Sequence, residues 1–149
     1  MNTVRLNTMG TRFFLGILIL MFLFSTESQA KKVHFLVSDV VPAARGFAKV
    51  TRDKNRNYVI KIKLFDLAEV QRLDPSKLSY VAWIVTDRDV TKNIGQIESS
   101  TKILSTKLKA SFETVSSFKP IQIFITTEDD ASVQSPGMQV VLTTNKFGH

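Results

Sequence analysis

One stretch of this chain, "NYVIKIKLF", alternates almost strictly between apolar and polar side chains. In an extended strand, the apolar residues at the even positions 58 to 64 fall on one face, and Val59, Lys61 and Lys63 fall on the other. This period of two is typical of a strand with one buried face and one face in water. A sheet, and not a helix, is therefore the element that this part of the chain can form.

Short apolar segments recur along the rest of the chain, separated by proline, glycine and charged turns. The further predicted strands are Val33–Val41, Gly46–Thr51, Tyr80–Val85, Asn93–Glu98, Lys102–Phe112, Pro120–Glu128 and Met138–Thr144. Tyr80–Val85 is apolar on both faces, which indicates a strand covered on both sides. Seven or eight short strands at this spacing predict an all-β fold, an antiparallel sandwich of the immunoglobulin-like kind.

One segment, "DLAEVQRLDPSKLS", departs from the strand pattern. Leu67, Val70 and Leu73 have helical spacing, Asp66 is positioned to cap, and Pro75 ends the segment. We expect one or two helical turns between two strands.

A twelve-residue apolar run, Phe13–Phe24, precedes all the predicted strands. Two arginines lie before it, and the small residues Ser28 and Ala30 follow it, which is the layout of a secretory signal peptide. We expect cleavage between Ala30 and Lys31. Since a bilayer takes roughly 20 apolar residues to cross, a retained anchor is the alternative, and membrane contact would then be limited to this segment.

This interpretation divides the chain into a signal peptide, residues 1–30, and a single β-sandwich domain, residues 31–149. The domain has no cysteine, which excludes disulfides, thiolate metal sites and a thiol nucleophile. About 119 residues are enough to build a core without such bridges. Export to a bacterial periplasm or secretion agrees with this composition better than a eukaryotic secretory route does.

The formal charge of +7 becomes +6 once the signal peptide is removed with its two arginines and Glu27. Six basic residues lie within fifteen positions: Lys49, Arg52, Lys54, Arg56, Lys61 and Lys63. A hairpin that gathers them on one surface would bind an anionic glycan or lipid headgroup. The alternative is a solvated hairpin whose lysines protect an edge strand. For an exported protein we do not expect a nucleic-acid partner.

The residue types used for catalysis and metal binding are sparse. Of the two histidines, His34 lies in an apolar strand and His149 ends the chain, so we predict neither a metal site nor a cofactor. Acidic residues cluster in two predicted turns, at Asp87 and Asp89 and at Glu128–Asp130. Such carboxylates bind calcium or act as an acid and base pair in a hydrolase, but in turns they more often cap and solubilise.

The only tryptophan, Trp83, lies in the strand predicted to be covered on both sides. Its neighbours of the same alternation, Val81 and Val85, favour a core position, so we expect its ring to fill the space between the two sheets. Gly95 is expected to allow a bulge or the close approach of a neighbouring backbone.

The stretch "YVAWIVTDRDVTKNIGQIE", followed by "PIQIFITTEDDASVQSPGMQVVL", resembles the C-terminal, extracytoplasmic domain of anti-sigma-K factors. The positions that carry the resemblance are Tyr80, Trp83, Gly95, Glu128, Ser132, Pro136 and Val140. It covers Ala48 to Thr144, and it departs from the family pattern at Asp129–Ser132, where the family often has Gly-Gly-Ser.

The resemblance implies a β-sandwich outside the cytoplasmic membrane that acts by contact and not by catalysis. In the family, a membrane helix joins this domain to a cytoplasmic segment that sequesters a sigma factor. Only twelve residues precede the apolar run here, so the anti-sigma activity is not carried over. We expect a non-enzymatic domain that binds an extracytoplasmic protein or envelope component. The alternatives are binding of anionic glycan or lipid through the basic hairpin and a hydrolase using the acidic turns.

Overall fold

The computed structural model describes residues 30–100 and 108–148. This part of the chain contains nine strands and one 3-10 helix. The strands are β1 (Lys31–His34), β2 (Arg45–Arg52), β3 (Tyr58–Leu67), β4 (Ser79–Thr86), β5 (Thr91–Ile97), β6 (Ser99–Ser100), β7 (Leu108–Ser116), β8 (Pro120–Glu128) and β9 (Val140–Thr143), and the helix is η1 (Val70–Arg72).

The strands form two antiparallel sheets, a five-stranded sheet in the order β1-β2-β3-β7-β6 and a four-stranded sheet in the order β5-β4-β8-β9. If β2 is taken as strand A and β1 as an addition, these orders match the A-B-E-D and C′-C-F-G sheets of the immunoglobulin fold. The sequence therefore predicted the fold class correctly: an all-β antiparallel sandwich with one short helical segment.

The core between the sheets is built by the predicted alternation. Ile60, Ile62 and Leu64 of β3 are at most 1% exposed, and the opposite sheet contributes Ile84 and Ile123, which are fully buried. Burying each side chain of this size contributes roughly 1.5–3 kcal/mol. Val59, Lys61 and Lys63 lie on the other face of β3, away from this core, as the sequence predicted.

The first strand is shorter than the predicted segment Val33–Val41 because the chain leaves the five-stranded sheet after His34. Phe35 bridges to Thr144, and the N–H of Leu36 donates to the carbonyl of Thr143 at 2.8 Å. The first strand therefore links the edges of the two sheets on one side of the sandwich.

Other predicted segments also have different bounds in the structure. The segment Lys102–Phe112 corresponds to β7, which begins at Leu108, and residues 101–107 lie outside the described part of the chain. The last strand begins two residues after the predicted start at Met138.

The helical prediction was correct in kind and wrong in detail. Helix η1 has Glu69 at its N-cap with no side-chain capping bond. Asp66 is not a cap: it lies within β3 at a φ of 57°, and its carboxylate pairs with Arg45 at 3.0 Å. The strand thus continues to Leu67, two residues into the segment predicted to be helical.

Trp83 is fully buried, but the prediction that its ring fills the space between the sheets is wrong. Tyr80, Ala82 and Ile84 belong to the core between the sheets, so the alternation of β4 turns the indole to the outer face of the four-stranded sheet. There it stacks on Phe124, with ring centroids 6.2 Å apart and planes at 10°.

The connection from Asp129 to Gln139, here called the strap, lies on this outer face. The side-chain amide of Asn93, which lies opposite Trp83, donates to the carbonyls of Ala131 and Val133 at 2.9 and 2.8 Å. The strap therefore covers the face on which the indole lies, and Trp83 is buried beneath it.

Gly95 has the role predicted for it at the edge of the four-stranded sheet. The β4–β5 register shifts between Ala82 and Trp83, and Gly95 has a φ of 131°. A Cβ atom at this position would lie 3.0 Å from the ring of Phe112 in the opposite sheet. Glycine thus permits both the bulge and the close approach of the two sheets.

The predicted signal peptide, residues 1–30, lies outside the described part of the chain apart from Ala30, which is exposed. Lys31 is the first residue of β1. No helix within residues 30–100 and 108–148 has the length and apolar character needed to cross a membrane.

Candidate binding surface

Three of the six predicted basic residues share the outer face of the five-stranded sheet. Lys49 of β2 lies directly opposite Lys61 of β3, and Lys63 follows two positions along β3. All three are exposed, because the neighbouring even positions of both strands point into the core. Since directly opposite residues have Cβ atoms roughly 4.5–5.5 Å apart, these ammonium groups form one surface.

The registers extend this surface across the sheet. Lys32 of β1 lies opposite Lys49, and Glu113 of β7 lies opposite Lys61, so the row across four strands is Lys32, Lys49, Lys61 and Glu113. We call the four lysines Lys32, Lys49, Lys61 and Lys63 the basic face. The ammonium of Lys32 lies 4.1 Å from the centroid of the Phe47 ring, and Lys61 pairs with Glu113 at 3.0 Å.

Sequence reasoning missed Lys32 and Glu113. Lys32 preceded the predicted start of the first strand at Val33, and Glu113 followed the end of the predicted strand Lys102–Phe112. The charge pattern of the chain shows both residues, but only the pairing register shows that they lie in the row.

The other three predicted basic residues lie at the end of the β2–β3 hairpin. The guanidinium of Arg52 lies 5.6 Å from the centroid of the Tyr58 ring. Arg52 belongs to the even positions of β2, which face the other sheet, and not to the outer face with Lys49. Lys54 and Arg56 are exposed in the turn, where the Asp53 carboxylate accepts bonds from the backbone N–H groups of residues 55 and 57 at 2.8 Å. The hairpin thus divides the predicted set between a sheet face and a turn.

The interpretation that these lysines protect an edge strand is wrong. The third strand lies between β2 and β7, and the second strand is covered by β1. Lys49, Lys61 and Lys63 are therefore on interior strands, where no backbone edge needs protection.

Three carboxylates of the two acidic turns, those of Asp89, Asp129 and Asp130, each contact a basic or polar group. Asp129 pairs with Lys77 at 2.6 Å. Asp130 accepts from the backbone N–H and the hydroxyl of Ser132, each at 2.8 Å, and these bonds lower the pKa of Asp130. Asp89 lies 3.8 Å from the ammonium of Lys146. These contacts are those of turn and surface acids.

Glu128 is the exception among the acids because it is buried, at 6% exposed. Its Oε1 accepts a bond from the hydroxyl of Thr126 and a 2.7 Å bond from the N–H of Gly137. The hydroxyl of Thr126 in turn accepts the indole N–H of Trp83 at 2.8 Å. This chain of bonds joins the eighth strand to the end of the strap, so Glu128 secures the cover over Trp83.

Within the two described ranges, no group of three or more histidine, cysteine or acidic side chains is close enough to hold a metal ion. His34 is exposed on the outer face of β1, with its ring 6.0 Å from that of Phe47, and His149 lies outside those ranges. An open groove of about 500 Å³ lies between η1 and the ends of β4 and β5, and its lining includes Glu69 and Glu98 but no residue of the acidic turns.

No family model matches this chain, and searches of curated proteins and of solved structures return no match either.

Proposed function

We propose that this chain is a non-enzymatic, exported contact domain, found in the periplasm or secreted, that binds an extracytoplasmic protein or a component of the cell envelope. The sequence resemblance to the extracytoplasmic half of anti-sigma-K factors supports this proposal. So does the placement of the residues that carry the resemblance: Trp83 and Glu128 belong to one buried cluster, and Gly95 lies beside it in β5. In this chain these residues serve the architecture of the domain.

The observation that carries the proposal is the difference between the two outer faces of the sandwich. The strap covers the outer face of the four-stranded sheet, whereas the basic face of the five-stranded sheet has all four lysines exposed. An uncovered sheet face with a coherent pattern of side chains is a surface available for a partner.

The test is a pull-down from envelope extract with the chain from Lys31 onwards. We expect wild type to retain a defined component and a Lys49→Glu, Lys61→Glu variant to lose it. The matched control reverses two exposed charges off this face, Lys54→Glu and Arg88→Glu, and is expected to retain the component. Equal retention by both variants contradicts the assignment of this face, and failure of wild type to retain any component contradicts the contact function.

A further inference from the structure

The basic face contains an arrangement of charges that sheets normally avoid. Lys32, Lys49 and Lys61 are directly opposite one another on three neighbouring strands, and the row has a single carboxylate, Glu113, at its β7 end. Like charges directly opposite each other destabilise a sheet. Since β2 and β3 are interior strands, Lys49 and Lys61 have no edge to protect, and the row is best explained by a ligand that neutralises it.

We propose that the basic face binds a linear anionic polymer lying across β1, β2 and β3. Lys32, Lys49 and Lys61 contact successive anionic groups along the row, and Lys63 contacts the same chain from beside Lys61. The ligand class is a polymer with sulfate, phosphate or carboxylate groups on most of its units. This inference rests on the proposed contact function and names the partner for that surface.

The side chains of the face favour a polymer over a bilayer. Membrane-surface domains add buried apolar area to their electrostatic attraction. The Lys32 ammonium lies over the Phe47 ring. Among the residues that the structure describes, the large exposed apolar side chains lie off this face except for Val115, two positions from Glu113 along the outer side of β7.

The use of lysine at all four positions indicates how the polymer is bound. Lysine presents a compact point charge on a flexible stem, whereas arginine fixes a planar bidentate geometry. The face therefore suits irregularly spaced anionic groups, with binding that is tolerant of sequence and strongly dependent on salt.

The charge of Glu113 is expected to affect polymer affinity in the opposite direction from the charges of the four lysines. Its carboxylate pairs with Lys61 at 3.0 Å, so it competes with an incoming anion for the last lysine of the row. Removing the Glu113 charge is expected to strengthen polymer binding, while removing a lysine charge weakens it.

The experiment measures heparin binding by the chain from Lys31 onwards at several sodium chloride concentrations. For Lys49→Gln, Lys61→Gln, Lys63→Gln, we expect the slope of log affinity against log salt to fall by about 1 per lysine removed, about 3 in all. The control Lys54→Gln, Arg56→Asn, Arg88→Gln removes the same charge elsewhere and is expected to keep the wild-type slope. Glu113→Gln should bind more tightly than wild type, and Glu69→Gln, at η1, should not.

Equal loss in the lysine variant and its control overturns the proposal, because net charge alone would then explain binding. Tighter binding to phosphatidylglycerol vesicles than to heparin, lost in the same lysine variant, overturns it in favour of a bilayer. If the lysine variant keeps heparin binding and still retains the envelope component, this inference fails while the contact function stands. If wild type binds heparin through the face and retains no envelope component, the contact function fails instead.

Discussion

Replacing Thr126 by valine removes the hydroxyl that links the Trp83 indole to the Glu128 carboxylate while keeping the shape of the side chain. Trp83 and Thr126 are each 0% exposed, and their bond measures 2.8 Å. In the variant the indole N–H has lost its partner in a dry site. Glu128 keeps only the N–H of Gly137 on Oε1.

An unsatisfied buried donor costs about 1–3 kcal/mol, and a lost bond to a charged acceptor about 1.5–3 kcal/mol. The new methyl group returns about 0.8 kcal/mol of burial. We therefore expect Thr126→Val to lower the free energy of unfolding by about 2–5 kcal/mol. For a domain of about 119 residues this corresponds to a fall in Tm of roughly 8–20 °C.

The assay is urea unfolding followed by fluorescence, since Trp83 is the only tryptophan in the chain. The matched control is Thr143→Val on β9, where the half-buried hydroxyl accepts from Gln122 at 3.1 Å, and the expected loss is below about 1 kcal/mol. A loss below about 0.5 kcal/mol for Thr126→Val, with unchanged emission, would show that water reaches the indole. The claim that the strap seals this cluster would then be wrong.

Three further outcomes are expected from urea unfolding. Gly95→Ala should cost about 2–3 kcal/mol, because its φ of 131° and the Phe112 ring at 3.0 Å both oppose a Cβ atom, and an unshifted midpoint refutes this reading of the bulge. Burial raises the pKa of Tyr80 from 10.0 to about 12, so the stability that the neutral phenol contributes is complete below pH 10 and is lost as the pH rises towards 12. Between pH 10 and 12 the unfolding free energy of wild type should therefore fall by about 2 kcal/mol more than that of Tyr80→Phe. Parallel curves of unfolding free energy against pH for the two proteins would contradict this. Lys49→Glu should stabilise the domain by about 1 kcal/mol at low salt, because it turns the like-charge pairs with Lys32 and Lys61 into opposite-charge pairs. This gain should disappear in 1 M salt. Destabilisation would mean that the stem of Lys49 packs on the sheet.

The fold class was predictable because the apolar period of two is a local property of each segment. In β3 the positions of Ile60, Ile62 and Leu64 decide the buried face without reference to any other strand. Segment bounds were less predictable, since the first strand ends where Phe35 bridges to Thr144, more than a hundred residues away.

The side of β4 on which Trp83 lies could not be deduced from the sequence because both faces of that strand are apolar. The alternation separates Tyr80, Ala82 and Ile84 from Val81 and Trp83, but it does not say which set faces the second sheet. The strap supplies a cover for the outer face, and its polar sequence shows no apolar period that would have indicated this.

The candidate surface was predictable in part for the same reason. Lys61 and Lys63 share a face by their spacing alone, whereas the pairing of Lys49 with Lys61 depends on the register of the hairpin. Lys32 joins the row only through its pairing with Lys49 across β1 and β2, which no local pattern encodes.

The lysine row makes stability and binding change in opposite directions, and this separates a binding site from an ordinary solvated face. If the row exists for a ligand, neutralising Lys49 relieves repulsion in the free domain and removes a contact in the complex, so one substitution raises the unfolding free energy and lowers polymer affinity. If the lysines only keep the face soluble, the stability gain remains while heparin affinity follows net charge, as it does in a variant of the turn lysine, Lys54. Measuring the unfolding free energy and the heparin affinity of the Lys49 and Lys54 variants therefore distinguishes a lysine row that serves a ligand from a face that is only solvated.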